Sequence, residues 1–155
     1  MGLNKLGDLY REVILDHAQH PRNQKQLSQV THQMELLNPT CGDAIIVQCQ
    51  VEDERVVAVA FTGYGCSISI ASASMMTEVL TGQTLERALE LVEIFNRLIS
   101  QIHGEPLVAE DEEALQDAYF LEGLKQFPSR YKCGSLAWKA FEGAFEQRSR
   151  EDDEE

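Results

Sequence analysis

The 155-residue sequence contains no apolar run near the roughly 20 residues needed to cross a bilayer. A membrane is therefore not an expected partner. Cations are scarce: 13 Lys and Arg stand against 26 Asp and Glu, a formal charge of −13. No basic stripe interrupts that acidity, so the chain repels phosphate backbones and nucleic acid is not expected either. The opening Met1-Gly2-Leu3-Asn4-Lys5-Leu6-Gly7-Asp8 lacks the charged-then-apolar order of a secretory signal. The expected location is cytoplasmic, where four cysteines are metal ligands, reactive thiols or core residues before they are disulfides. There is no CxxC pair and no internal repeat.

What is present reads as one domain. Apolar residues at 43% and charged residues at 25% make an ordinary globular balance, and the length can bury a core without disulfide staples. We expect a single domain over residues 1–148 and a disordered acidic tail over 149–155, which includes the acidic run Glu151–Glu155. Leu6, Leu9, Tyr10, Val13, Ile14 and His17 recur at helical spacing and predict a first helix, ended by Pro21 near His20. His17 falls on that apolar stripe and reads as a packed histidine.

Three strand-like stretches follow, at 31–37, 44–51 and 56–61. The second puts Ile45, Val47, Cys49 and Val51 on one face, and Glu52-Asp53-Glu54-Arg55 makes a hairpin of the last two. Residues 67–80 predict a helix of small residues and methionines. Residues 84–102 predict the clearest helix, with Leu85, Ala88, Leu89, Val92, Phe95, Ile99 and Ile102 opposite Glu86, Glu90, Glu93 and Arg97. A solvated linker is expected over 103–114, a short helix over 114–126 broken by Pro128, and a last helix over 136–148. The expected fold class is α+β, a three-stranded antiparallel sheet with helices packed on one face.

The cysteines divide into two kinds. Cys49 alternates with apolar strand residues and behaves as a small buried hydrophobe. Cys41-Gly42, Gly65-Cys66 and Cys133-Gly134 each set a thiol beside glycine in an expected connection, where glycine permits a tight turn or close backbone approach. Asp43, two residues after Cys41, projects to the same side in an extended segment. Cys66 and Cys133 stand at the expected starts of helices, where unpaired N–H groups favour thiolate. Three thiolates and a carboxylate suit tetrahedral zinc, and they also suit an iron–sulfur cluster. Arg130, three residues before Cys133, is a candidate to bind an acidic partner or steady the thiolate.

Cys41-Gly42-Asp43, the stretch from Gly65-Cys66-Ser67 to Ser74-Met75-Met76, and Lys132-Cys133 with Leu136-Ala137-Trp138 resemble the IscU/NifU-like iron–sulfur scaffold family. Leu9-Tyr10-Arg11 through Asp16-His17, Pro21-Arg22-Asn23 and Asn38-Pro39-Thr40 match as well. The likeness spans roughly residues 6–146. The extra stretch near 103–127, and Lys132 where the IscU branch carries histidine, are similar to the SufU branch. A lysine ammonium is a poor metal ligand near neutral pH, so Lys132 is expected to supply positive charge beside the thiolates.

The resemblance implies a SufE/NifU-like fold and zinc held by Cys41, Asp43, Cys66 and Cys133. It implies a sulfurtransferase-type carrier that takes persulfide sulfur onto Cys41 from a SufS-type cysteine desulfurase. Other Suf assembly components and apo iron–sulfur proteins are the implied onward partners. It also implies an alternative: a scaffold that binds iron and assembles a nascent [2Fe-2S] cluster, with Asp43 tied to cluster lability.

Overall fold

The hairpin read from the sequence sets the sheet. β2 (Asp43–Glu52) and β3 (Arg55–Tyr64) join through Asp53 and Glu54, whose φ angles of +50° and +61° give the left-handed pair that suits a two-residue hairpin. β1 (His32–Asn38) pairs with the other edge of β2, so the order is β1-β2-β3 and every pairing is antiparallel. Met34, Val47 and Phe61 share one cross-strand row, and Ile45, Val47, Cys49, Val59 and Phe61 are buried on that face. Gln33, Glu35 and Leu37 of β1 alternate to the exposed side. Burial pushes the Cys49 thiol up to about 12, as its packing role requires.

The computed structural model describes the backbone of residues 2–100 and 107–154 and the side chains of residues 11–100 and 107–146. The expected contributions of Leu6, Leu9 and Tyr10 to the first stripe, and of Ile102 to the stripe of the 84–102 helix, lie outside the described side chains. α1 (Gly2–Gln19), α2 (Ser67–Leu80), α3 (Leu85–Ile99) and α5 (Tyr131–Glu154) form the main helical layer. Central α2 is almost wholly buried, and its small side chains admit close neighbours. Ser72 accepts the Trp138 Nε1–H at 2.9 Å and donates to the Gly134 carbonyl at 2.5 Å, tying α2 to α5. Trp138 stacks on Phe95 of α3 with ring centroids 3.9 Å apart. α3 begins at Thr84, whose hydroxyl accepts the Arg87 N–H.

The structure corrects two expectations in the C-terminal third and refines a third. The stretch read as a solvated linker contains α4 (Ala109–Ala114), with Glu110, Asp111 and Glu112 in its first turn where the helix dipole favours them. Arg87 pairs with Asp111 there. The short helix expected over 114–126 is present as a 3₁₀ run, Gln116–Gln126. Leu115, Ala118, Leu121 and Leu124 are all buried and spaced by three, which matches the 3₁₀ period. The last helix starts before Cys133, because Pro128 opens a short 3₁₀ turn (Pro128–Arg130) that leads directly into α5. Its backbone continues as helix through Glu154, along the acidic residues read as a tail.

His17 is packed as expected, with Nδ1 at 2.8 Å from Ser74 Oγ and Nε2 at 2.8 Å from Asp117 Oδ2. Among the described residues no helix is long and apolar enough to cross a membrane.

Candidate metal centre

The site forms where three connections meet at one end of the sheet. β1 ends at Asn38, and a tight turn, with the Cys41 N–H on the Asn38 carbonyl at 3.2 Å and Gly42 at φ +71°, carries Cys41 before β2 begins at Asp43. β3 ends at Tyr64, and Cys66 caps the start of α2 in extended geometry. Cys133 arrives from the first turn of α5. Sequence positions 41, 66 and 133 thus converge through β-pairing and the packing of α2 against α5.

Asp43 is the hub. Its carboxylate is 2% exposed and accepts the Cys66 N–H at 2.9 Å through Oδ1. Oδ2 accepts the Ser69 hydroxyl at 2.7 Å and the Asn38 Nδ2 at 3.5 Å. These donors compensate a buried carboxylate, and the N-terminus of α2 adds a favourable dipole. Gly65 leaves room for it: a Cβ there would sit 2.7 Å from Asp43 Oδ1.

The sulfurs of Cys41 and Cys133 are 3.2 Å apart, and one donor atom each from Cys41, Asp43 and Cys133 lies within 4.8 Å of the others. The Cys66 sulfur stands outside that tightest set. It lies 3.4 Å from Ser69 Oγ and reaches Cys133 by a hydrogen bond. Cys133 is fully buried and Cys41 half-buried. Burial first, then hydrogen bonds to Cys41 and Cys66, pushes the Cys133 thiol up to about 12. A helix start therefore does not by itself make Cys133 a thiolate, contrary to the expectation from sequence; desolvation dominates.

Of the two cations named from sequence, Arg130 is the one that hydrogen-bonds a thiol, that of Cys133. Its pKa is raised, first by that hydrogen bond. Lys132 is exposed. Sequence reasoning missed Asn38 and Ser69 as members of the site. Ser69 was read only as a small helix residue, and its place one turn after Cys66 was the available signal.

The donor set fits zinc. Zinc–sulfur bonds near 2.3 Å in a tetrahedron separate two sulfurs by about 3.8 Å, so Cys41 and Cys133 need part by only about 0.6 Å. A thiol that holds its proton to about 12 beside two others is also what a thiophilic ion would relieve.

Residues 9–134 match the model of a family described as NifU-like N terminal domain. The chain is 41% identical over 137 residues to a zinc-dependent sulfurtransferase SufU from Bacillus subtilis (strain 168), covering 88% of this chain and 89% of that one. It is 40% identical over 147 residues to an iron–sulfur cluster assembly scaffold protein IscU from Streptococcus pyogenes serotype M1, covering 95% and 89%. A solved structure from Fervidobacterium islandicum AW-1, described as an iron–sulfur cluster assembly scaffold for the SUF system, superposes with a TM-score of 0.76 at 28% identity, covering 86% and 93%. The N-terminal part of a NifU-like protein from Brucella abortus, at 20% identity, shares the fold with a TM-score of 0.78, covering 92% and 96%.

Proposed function

From the premise that this chain belongs to the NifU-like N-terminal domain family of iron–sulfur cluster assembly proteins, we propose that it is a zinc-dependent acceptor of persulfide sulfur. The donor is a SufS-type cysteine desulfurase, and the sulfur passes on to Suf assembly components and apo iron–sulfur proteins in the cytoplasm. The observation that carries this reading is the convergence of Cys41, Cys133 and the buried Asp43, with Cys66 beside them. Bound zinc supplies a Lewis acid that holds these thiols deprotonated at neutral pH.

Cys41 is the accepting group. It sits half-buried on the β1–β2 turn, whereas Cys66 caps α2 and Cys133 is enclosed in α5. Its thiolate attacks the outer sulfur of the donor's cysteine persulfide. The donor's sulfur–sulfur bond breaks, its cysteine leaves as thiolate, and a persulfide forms on Cys41 with no net oxidation or reduction. Asp43 stays anchored by the Cys66 N–H and Ser69 throughout, so it holds the ligand loop in register. Arg130 offers positive charge to the sulfur that carries negative charge. Leu37, Tyr64 and Phe127, all more than half exposed, belong to the ends of β1 and β3 and the turn before Arg130, and give a partner apolar contacts around the thiols.

Desulfurase turnover measured with the wild type and with Cys41→Ala tests the reading. Stimulation by the wild type and none by the variant is the supporting result; full stimulation by Cys41→Ala overturns it. The likeness to the IscU scaffold at 40% identity favours a second reading, assembly of a [2Fe-2S] cluster on the same ligands. Zinc in colourless protein as isolated supports transfer, and brown, iron-containing protein supports the scaffold.

A further inference from the structure

Away from the cysteines, His17 near the end of α1, Glu78 of α2 and Asp117 of the 3₁₀ run turn their polar atoms toward one point. His17 Nε2 lies 2.8 Å from Asp117 Oδ2 and 3.8 Å from Glu78 Oε1, and the three donor atoms lie within 4.8 Å of one another. The imidazole is 1% exposed and aimed at the two carboxylates. Its far nitrogen meets Ser74 Oγ at 2.8 Å, and that hydroxyl also accepts the Arg22 N–H at 2.8 Å. The ring is therefore oriented from behind, as metal-binding histidines are.

Two carboxylates converge on one ring nitrogen, and one proton cannot serve both. The nitrogen hydrogen-bonds Asp117, which leaves Glu78 at 3.8 Å, beyond hydrogen-bond reach. A cation in that proton's place would satisfy all three groups. Ligand atoms about 2.1 Å from an ion are about 3.0–3.4 Å apart, and the observed 2.8 and 3.8 Å bracket that range. Glu78 and Asp117 are 41% and 50% exposed, so an ion can enter from water. A cleft of about 340 Å³ lined by Asn23, Thr77, Glu78 and Gln116 opens beside them, with space for water ligands.

We propose that His17, Glu78 and Asp117 form a second divalent-cation site, of nitrogen and carboxylate donors, that clasps α1, α2 and the 3₁₀ run together. Its donors select a borderline-to-hard transition ion such as Fe²⁺ or Mn²⁺, in contrast to the sulfur-rich centre. With the ion on Nε2 the imidazole proton sits on Nδ1, facing Ser74 Oγ at 2.8 Å.

Manganese is the probe, because it is weakly thiophilic and so reports this site whatever the cysteines hold. Full-length protein carrying one equivalent of zinc, which the thiols take in preference to nitrogen and oxygen donors, is freed of excess zinc and titrated with Mn²⁺ while electron paramagnetic resonance follows the free ion. The expected result is one Mn²⁺ per chain with micromolar affinity, weakened about tenfold or more in both Asp117→Asn and Glu78→Gln. Both replaced side chains are about half exposed, so the variants are expected to fold. Mn²⁺ should raise the melting temperature of the wild type by more than that of either variant at the same Mn²⁺ concentration. An entirely free Mn²⁺ signal, or binding that both variants retain, overturns the proposal.

Discussion

Asp43 accepts the backbone N–H of Cys66 at 2.9 Å, so the first residue of β2 fastens the first turn of α2. The candidate metal ligand is thus also a structural pin between sheet and helix, and its two roles can be separated by measurement.

Asp43→Ala leaves the Cys66 N–H and the buried Ser69 hydroxyl without their acceptor. We expect metal-free protein to lose about 1–3 kcal/mol of stability and zinc retention to fall. Urea unfolding and metal analysis check both; a variant unchanged in stability and zinc content would show that the pin carries nothing.

Gly65→Ala probes the same carboxylate without altering a ligand. The new Cβ would press on Asp43 Oδ1 from 2.7 Å, so the carboxylate must move. The expected cost is about 1–3 kcal/mol, with weaker zinc binding measured against a chromophoric chelator.

The raised thiols make metal-free protein sensitive to alkali. The Cys133 and Cys49 pKa values are pushed up to about 12 in the fold, against about 8.5 in an unfolded chain. Between those values the folded state holds more protons than the unfolded state. The stabilisation is present in full below about pH 8.5 and is lost as pH rises toward 12. Melting temperature of the chelator-treated protein should therefore fall across this window, and less steeply in Cys133→Ala. Zinc-loaded protein should lack the Cys133 part of the slope.

Trp138→Phe removes the Nε1–H donated to Ser72 while Ser72 still donates to the Gly134 carbonyl. Loss of that buried bond and of part of the stack on Phe95 should cost about 1–3 kcal/mol. Circular dichroism is the right readout, since the chain has a single tryptophan. A variant as stable as the wild type would refute the account.

The sheet and α2 were legible because their signals are local. Alternation from Ile45 to Cys49 and the polar connection at Asp53-Glu54 specify a hairpin without help from the rest of the chain. The cysteines were legible as a group through the glycines beside them, and the structure gives two of those glycines distinct work. Gly42 turns at positive φ, and Gly65 makes way for Asp43. Asn38 and Ser69 were not legible, because nothing local marks a polar side chain that serves a carboxylate from another segment. The suppression of Cys133 ionisation was hidden for a similar reason: a helix start is visible in sequence, whereas the enclosure that opposes it exists only after folding. In the C-terminal third, a short helix is legible over 114–126, and its 3₁₀ character rests on the apolar row that repeats every three residues.

That row has a consequence for evolution and engineering. Successive residues of a 3₁₀ helix turn by about 120°, so one residue inserted between Ala118 and Leu121 would swing Leu121 and Leu124 from the interior into water. Inserting three would lengthen the segment by a turn and keep every contact in phase. Length changes tolerated between Leu115 and Leu124 should come in multiples of three, and a library of insertions sorted by expression would reveal that count.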